Sequence, residues 1–312
     1  RAYGTSDDLE IGAFPKFVAG PGEILINAKA LGVAFHDGLQ LAGKHQIKHQ
    51  MPYVPGMEIA GTVAALGEGV EGPAVGTPVM ALNQGGGWGE YAWVDQSQVW
   101  PVLEGVDDPT AAAICMAYTT SHCGLHWEGG LQAGETVLIT GATGGVGLAA
   151  VQIAHAMGAK VIAVASSDER LAIAADNGAD HGVNYTSVGL KDAVMELTDG
   201  NGVDVAFDPV MGSLYPDVLS SLAWGGRHVI IGFAGGEIPQ IPSNRLLVKN
   251  RRALGMVMRY YRYHKPDMMR ETVDILQRWY LDGQIRPLIA EIGPLEKAPE
   301  FLVEITERRL IG

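Results

Sequence analysis

Residues 141–147 read Gly-Ala-Thr-Gly-Gly-Val-Gly, between the apolar run Thr136–Thr140 and the small, apolar stretch Leu148–Ala156. Glycines between a strand and a helix let bare backbone N–H groups and the positive helix end approach a phosphate. The chemistry this implies is the binding of a dinucleotide. The pattern departs from G-x-G-x-x-G, because Ala142 takes the first place before Gly144 and Gly147. A turn that needs small residues only for packing is the plainer alternative.

The next strand end selects the dinucleotide. An NAD site carries Asp or Glu there, bonded to the ribose 2′-hydroxyl. This chain has Val164-Ala165-Ser166-Ser167-Asp168-Glu169-Arg170, with Ala165 in the acid's expected place. A carboxylate would repel a 2′-phosphate, whereas Ser166, Ser167 and Arg170 would bind one. NADPH is the expected cofactor. A slip of three residues would put Asp168 in the acidic role, and Ser166–Asp168 would equally serve to cap the following helix.

The elements that must position these residues are legible in texture. Residues 1–115 are rich in Gly, Pro and Val, with alternating stretches at Glu23–Ala30, Glu58–Ala65, Thr77–Ala81 and Glu90–Val94. Turn signals at Pro21-Gly22, Pro55-Gly56 and Gly85–Gly87 separate them, which predicts a β-rich, partly closed sheet. Residues 116–253 alternate strand candidates (Thr136–Thr140, Lys160–Ala165, Val203–Asp208, Arg227–Gly232) with helices (Val146–Met157, Asp168–Asn177, Gly189–Thr198, Tyr215–Leu222). That alternation predicts parallel βαβ units. Residues 254–312 hold a helix at Pro266–Asp282 and a second from Pro299, and are expected to return to the first domain. The predicted fold is therefore α/β: a doubly wound parallel sheet in 116–253 beside a β-rich domain of 1–115 completed by 254–312.

Composition narrows the function classes. The chain has 312 residues, 47% of them hydrophobic, 42 glycines and a net charge of −13. Such a charge repels a nucleic-acid backbone, so no nucleic-acid partner is expected. The one basic cluster, Arg251-Arg252, Arg259 and Arg262, reads as phosphate contact or solvated face. Two cysteines, Cys115 and Cys123, make no disulfide framework and point to a reducing cytoplasm. No apolar run is long enough to span a bilayer.

Read together, these segments resemble a known family. Ala142 with Gly144-Gly145-Val146-Gly147, then Ala165-Ser166-Ser167 and a nearby basic residue, is similar to the medium-chain dehydrogenase/reductases, and more narrowly to their zinc-free, zeta-crystallin-like quinone oxidoreductase branch. Pro55-Gly56-Met57-Glu58-Ile59-Ala60-Gly61-Thr62-Val63, Tyr118-Thr119-Thr120, Phe207–Val210, Gly225-Gly226-Arg227, Gly232–Gly236 and Leu246–Asn250 extend the resemblance over nearly the whole chain. It implies a Rossmann domain beside a GroES-like catalytic domain, and a homodimer. The branch has a strand before the Gly4 region and one after Gly312, so the chain looks trimmed at each end.

The resemblance also implies roles. Gly144, Gly145 and Val146 would face the pyrophosphate, with Ser166, Ser167 and Arg170 on the 2′-phosphate and Tyr185 stacking or bonding nearby. Thr120 would lie near the nicotinamide, Phe233 and Ala234 would reach the cofactor, and Asn250 would close over the ring, or merely end a helix. The zinc relatives' Cys and His ligands are replaced by Ala34 and Met57, so no metal is expected. His122 and His126, spaced i and i+4, read as packing rather than as a metal pair. The Ala34–His45 loop is where this chain departs most: the branch often has Asn at Ala34 and Tyr at His45. His45 is then a candidate proton donor, or a solvated loop residue. Asp37 matches a recurrent Asp that holds the loop or reacts, and Glu58 is expected to be structural.

The expected activity is hydride transfer from NADPH to a quinone without metal or flavin. An enone, 2-alkenal or enoyl-CoA reductase is the alternative, with Lys44 and the arginines of 251–262 suited to an acyl-CoA phosphate. A cofactor-binding protein with a structural or RNA-binding role is the third reading.

Overall fold

The computed structural model describes residues 3–13 and 19–311. Its chain divides into two compact units: one runs to Met116 and takes in Val273–Leu281 and Pro287–Ile311, and the other comprises Ala117–Thr272 and Asp282–Arg286.

The first unit is built on a curled antiparallel sheet. Its elements are β1 (Glu23–Leu31), α1 (Phe35–Leu41), β2 (Glu58–Leu66), β3 (Pro78–Leu82), β4 (Tyr91–Asp95), β5 (Val99–Pro101) and α2 (Asp108–Ala113), with strand order β4-β1-β2-β3-β5. Apolar residues alternate along the strands, so Ile24, Ile26, Ile59, Val63, Val79, Ala81, Ala92 and Val94 share one buried face. Two register shifts in β1 against β2 bend the strand. Gly61 permits the close approach beside them, since a Cβ there would lie 2.1 Å from the Asn27 carbonyl oxygen.

The Ala34–His45 segment, expected as a loop, contains α1. A seven-residue helix is too short to show a full apolar period. Its start is set locally, where the Ala34 N–H donates to Asp37 Oδ2 (2.9 Å), one half of a capping box. The body is set by packing: Leu41 joins Trp88, Ala298 and Leu302 in a buried cluster. Helix α1 also lies against the helix Ala298–Thr306, with Gly38 at the approach, where a Cβ would meet Thr306 Cγ2 at 2.9 Å.

The second unit alternates strand and helix. After α3 (Thr119–His122) come β6 (Thr136–Thr140), α4 (Gly145–Ala156), β7 (Lys160–Ala165), α5 (Asp168–Asp176), β8 (His181–Asn184), α6 (Leu190–Leu197), β9 (Val203–Asp208), α7 (Tyr215–Ser221), β10 (Leu222–Ile230), α8 (Ser243–Leu247), β11 (Arg252–Gly255) and α9 (Met258–His264). The sheet is parallel, in the order β11-β10-β9-β6-β7-β8, a Rossmann-type arrangement. Strands β6, β7 and β9 are buried almost throughout, as a sheet covered on both faces requires. The chain winds outward from β6 to β8 and returns at β9 on the other side of β6. That reversal is the switch point at which such sheets bind ligands.

The sequence-based strands β6, β7 and β9 coincide with those observed. Strands β8 and β11 escape the sequence reading, because each has only four residues at a sheet edge and neither is a continuous apolar run. The return to the first unit also differs from the expected residue 254. It begins at Val273 in α10 (Pro266–Leu281), and α11 (Ala298–Thr306) follows. Residues 254–272 stay with the second unit because β11 pairs with β10, Tyr261 Oη donates to Glu128 (2.9 Å), and the Thr272 hydroxyl meets His122 and Trp127 (3.0 Å each). Among the described residues, no helix is long and apolar enough to cross a membrane.

Candidate functional site

At the end of β6 the chain turns through Gly141, whose φ of 58° suits a residue without Cβ. Helix α4 then starts at N-cap Gly144, which supplies no side-chain cap to the first-turn N–H groups of Gly145, Val146 and Gly147. A Cβ on Gly147 would lie 2.0 Å from the Gly141 carbonyl oxygen, so this glycine brings the helix against the turn. Gly144 is exposed, and a Cβ there would make an ordinary 3.6 Å contact with the Gly141 carbonyl oxygen. Helix N–H groups without a side-chain cap at a switch point suit a dinucleotide pyrophosphate.

Arg170 lies beside this turn. Its Nη1 donates to Thr143 Oγ1 at 3.1 Å, which places the guanidinium against the glycine segment. Ser167 is the N-cap of α5 and accepts from the Arg170 N–H (3.4 Å), so it caps the helix, and Ser166 is exposed next to it. Asp168, the competing acid, accepts from Asn184 Nδ2 (2.9 Å). Tyr185 is half-buried and packs on the second unit's core.

The other residues expected to meet the cofactor lie in α3 and in the segments after β10 and α8 of the same unit. Thr120 is buried in α3, and Ser121 beside it donates to the Val146 carbonyl (2.7 Å), tying α3 to the first turn of α4. The Ala234 N–H donates to Pro209 O (3.0 Å), and Phe233 beside it is 43% exposed. Asp208 holds this corner. Its Oδ1 accepts from Thr140 Oγ1 (2.6 Å) and from the N–H groups of Val210 (3.0 Å) and Met211 (2.8 Å), and its Oδ2 meets His228 Nε2 at 3.0 Å. Burial pushes the Asp208 carboxyl up, but His228 and these donors outweigh it and hold it below the usual range. Asn250 is exposed, with a φ of 54°, and its N–H donates to Leu247 O (3.2 Å), the geometry of a residue that ends α8.

The first unit holds a separate polar cluster. Asp37 is 1% exposed, and its Oδ1 has no hydrogen-bond partner. His36 Nε2 lies 3.6 Å from that oxygen and is also buried without a hydrogen bond. Burial pushes the Asp37 carboxyl up, against His36 and the N–H groups of Ala34 and Gly56. Glu58 is buried, accepts from the Met116 N–H (3.0 Å), and is pushed up to about 8 by burial and by Asp37. Gln40, also buried, links His49 Nε2 (3.1 Å) to Met57 Sδ (3.0 Å). Tyr53 stacks on His49 with ring centroids 4.6 Å apart, and its buried hydroxyl has no partner. Burial and Asp37 push that hydroxyl up to about 12.

His45 stands in the same loop. Its Nδ1 accepts from the Ile47 N–H (3.2 Å), and burial together with His36, His49 and Lys48 pushes its pKa down, which favours the neutral ring. The sequence reading passed over His36 and Gln40 and did not see Tyr53 as an unpaired donor. The available signal was a histidine directly before Asp37. Among the described residues, no three His, Cys, Asp or Glu side chains converge as metal ligands. His122 Nδ1 faces the Thr272 hydroxyl, and burial with His126 pushes its pKa down to about 3, as in a packed neutral histidine. In the basic cluster, Arg251 bonds the carbonyls of Ser220 and Leu222, and Arg259 and Arg262 flank the Tyr263 ring.

Residues 20–104 match the family described as the alcohol dehydrogenase GroES-like domain, and 145–278 match the zinc-binding dehydrogenase family. A quinone oxidoreductase-like protein 2 homolog of Nematostella vectensis is 38% identical over 296 residues, 94% of this chain and 81% of that protein. This chain belongs to the zinc-free quinone oxidoreductase branch of the medium-chain dehydrogenase/reductases. A mycobacterial protein solved in complex with NADPH superposes with a TM-score of 0.93 at 27% identity, covering 100% of this chain and 96% of that one. An enoyl reductase superposes at 0.86 with 26% identity, covering 99% and 95%. The zinc in the second family's name does not fit the donors here. Ala34 has no ligand atom, and Met57 offers a thioether already engaged by Gln40.

Proposed function

We propose that this protein, an NADPH-dependent oxidoreductase of the medium-chain family, transfers hydride to a quinone without metal or flavin. The observation that carries the reading is the pairing of an uncapped helix end at Gly144 with the Arg170 guanidinium on Thr143, a cradle suited to a pyrophosphate and a 2′-phosphate. Gly144, Gly145 and Val146 would hold the pyrophosphate. Arg170 and Ser166 would hold the 2′-phosphate, with Ser167 setting the start of α5 and Tyr185 backing it. Thr120, Phe233 and Ala234 would bound the nicotinamide, and Asn250 would shape the loop after α8. NADPH supplies a hydride when bound.

The acceptor must take that hydride without Lewis-acid help, because Ala34 and Met57 cannot hold zinc. A quinone meets this requirement, since charge develops on an oxygen that hydrogen bonds can stabilise. His45 would be the first unit's proton donor for that oxygen, and Asp37, which accepts from the Ala34 N–H at the start of α1, would hold the segment before it. The name of the Nematostella relative supports the quinone. The enoyl reductase neighbour supports the second reading, reduction of an activated C=C, which asks for the same cradle and the same proton donor.

The deciding experiment follows NADPH absorbance with 1,4-quinones, 2-alkenals and enoyl-CoA esters in parallel. Quinones turning over at the highest kcat/KM supports the proposal. Alkenals or enoyl-CoA esters outpacing them shifts it to the second reading, and no oxidation with any acceptor refutes both. The assembly we propose is a homodimer joined at the cofactor units. Edge strand β11, beside exposed Trp224 of β10 (73%) and Leu247 of α8 (81%), offers the surface. Light scattering on the purified protein tests it, and a monomer refutes it.

A further inference from the structure

We propose that Thr143 helps select NADPH over NADH, because its hydroxyl aims the Arg170 guanidinium at the cofactor's 2′-phosphate. This rests on the reading above that Arg170 meets that phosphate. It makes Thr143 a positioning residue, a role that a glycine turn does not by itself require.

The hydroxyl stands in a fixed place. Thr143 lies in the turn between β6 and α4, is 2% exposed, and accepts from Arg170 Nη1 at 3.1 Å. Its backbone is held on both sides. The Ala142 N–H donates to the Val164 carbonyl near the end of β7 (3.2 Å), and the Gly144 N–H closes the turn on the Gly141 carbonyl (3.0 Å). Threonine is β-branched, so its χ1 is restricted and the hydroxyl keeps one direction. The turn needs small residues for close backbone approach, and nothing in that requirement asks for a hydroxyl.

An arginine gains from such a partner. The five N–H donors of a guanidinium lie in one plane, so one bond to a fixed acceptor sets the direction of the whole fork. Without it the long side chain samples more rotamers, and ordering them opposes binding. Arg170 also lies in the first turn of α5, where the helix dipole favours acids and disfavours cations. A bound anion would relieve that placement.

The acid in the same helix turn has a different partner. Asp168 Oδ1 accepts from Asn184 Nδ2 (2.9 Å), and Asn184 Oδ1 accepts from the Thr186 N–H (3.1 Å) and hydroxyl (2.7 Å). Thr143, from the preceding turn, and Asn184, from edge strand β8, therefore sort the two charges. The cation goes to the glycine segment and the carboxylate to the sheet edge. A 2′-phosphate is favoured by the first and repelled by the second, so the sorting itself sets the preference.

The test titrates the full chain with NADPH and with NADH by fluorescence. The proteins are the wild type, Thr143→Val, Thr143→Ser, Arg170→Ala and the double variant Thr143→Val/Arg170→Ala. Valine keeps the branched shape and removes the acceptor. Thr143→Val is expected to raise the NADPH Kd about 3–10-fold, the effect of one net hydrogen bond, with NADH within about twofold. Thr143→Ser keeps the oxygen and is expected to stay within about twofold of the wild type for both cofactors. The double variant is expected to match Arg170→Ala, because Thr143 acts through that side chain. Thr143→Val weakening both cofactors alike, or neither, overturns the proposal. So does a Thr143→Ser as weak as Thr143→Val, or a double variant weaker than Arg170→Ala by the full Thr143→Val factor. An Arg170→Ala that weakens NADPH and NADH equally refutes the placement of the 2′-phosphate beneath the proposal, and the proposal with it. A selective Arg170→Ala beside an unselective Thr143→Val refutes the role of Thr143 alone.

Discussion

Replacing Arg170 with Ala should separate the two nicotinamide cofactors. In the wild type its guanidinium lies on the glycine turn through Thr143, 3.1 Å away, and only NADPH carries a 2′-phosphate to meet it. A hydrogen bond to a charged group contributes about 1.5–3 kcal/mol. Arg170 is only partly buried, so solvent and salt screen the interaction and the lower half of that range applies. Roughly 1.5–2.2 kcal/mol corresponds to a 10–40-fold rise in the NADPH Kd. NADH, with a hydroxyl at that place, should change by less than about twofold. The assay is fluorescence titration of wild type and variant with each cofactor at low and high salt. The gap between NADPH and NADH in the wild type should narrow as salt rises. Equal weakening of both cofactors, or a gap indifferent to salt, would refute the assignment of Arg170 and reopen the case for Asp168 on the ribose.

Two further perturbations test the buried charges. Glu58 is raised to about 8 in the folded chain, well above the ordinary glutamate range, so the folded state binds an extra proton between that range and pH 8. Its contribution to stability is complete below the unfolded pKa and is lost as pH rises toward 8. Glu58→Gln, which keeps an acceptor for the Met116 N–H, should therefore gain in Tm relative to the wild type as pH climbs from 5 to 8; a constant difference across that range would sink the argument. Asp208 and His228 are both fully buried. Removing one partner of such a pair costs about 3–5 kcal/mol, so Asp208→Ala should unfold at markedly lower denaturant. Because its pKa is held low, the wild type's share of this stability is present above the unfolded value and lost as pH falls through the folded one. A small loss in Asp208→Ala, or one that persists unchanged in acid, would refute it.

Which parts of the molecule a one-dimensional reading can reach follows from how local each signal is. The glycine turn is legible because strand, turn and helix are contiguous, and because Gly141 and Gly147 answer to backbone constraints within seven residues of each other. The three central strands are legible because sheets covered on both faces need unbroken apolar runs. The loss of zinc is legible because Ala34 carries no ligand atom and a thioether at Met57 is no substitute for imidazole. Edge strands β8 and β11 were missed, since pairing to one neighbour lets short, mixed segments join a sheet.

The charged groups needed the tertiary structure. Arg170 and Asp168 are two positions apart, and register alone cannot choose between them. Asn184, sixteen residues further on, bonds Asp168, while Thr143, from the turn before, receives Arg170. His36 and His45 are equally histidines in the sequence. They differ because α1 buries Asp37 beside one ring while the chain offers the Ile47 N–H to the other. Protonation depends on burial and on partners distant in the chain. Residue type and spacing therefore determined the fold and the glycine turn, and only the packing decided which polar side chains are buried and what they face.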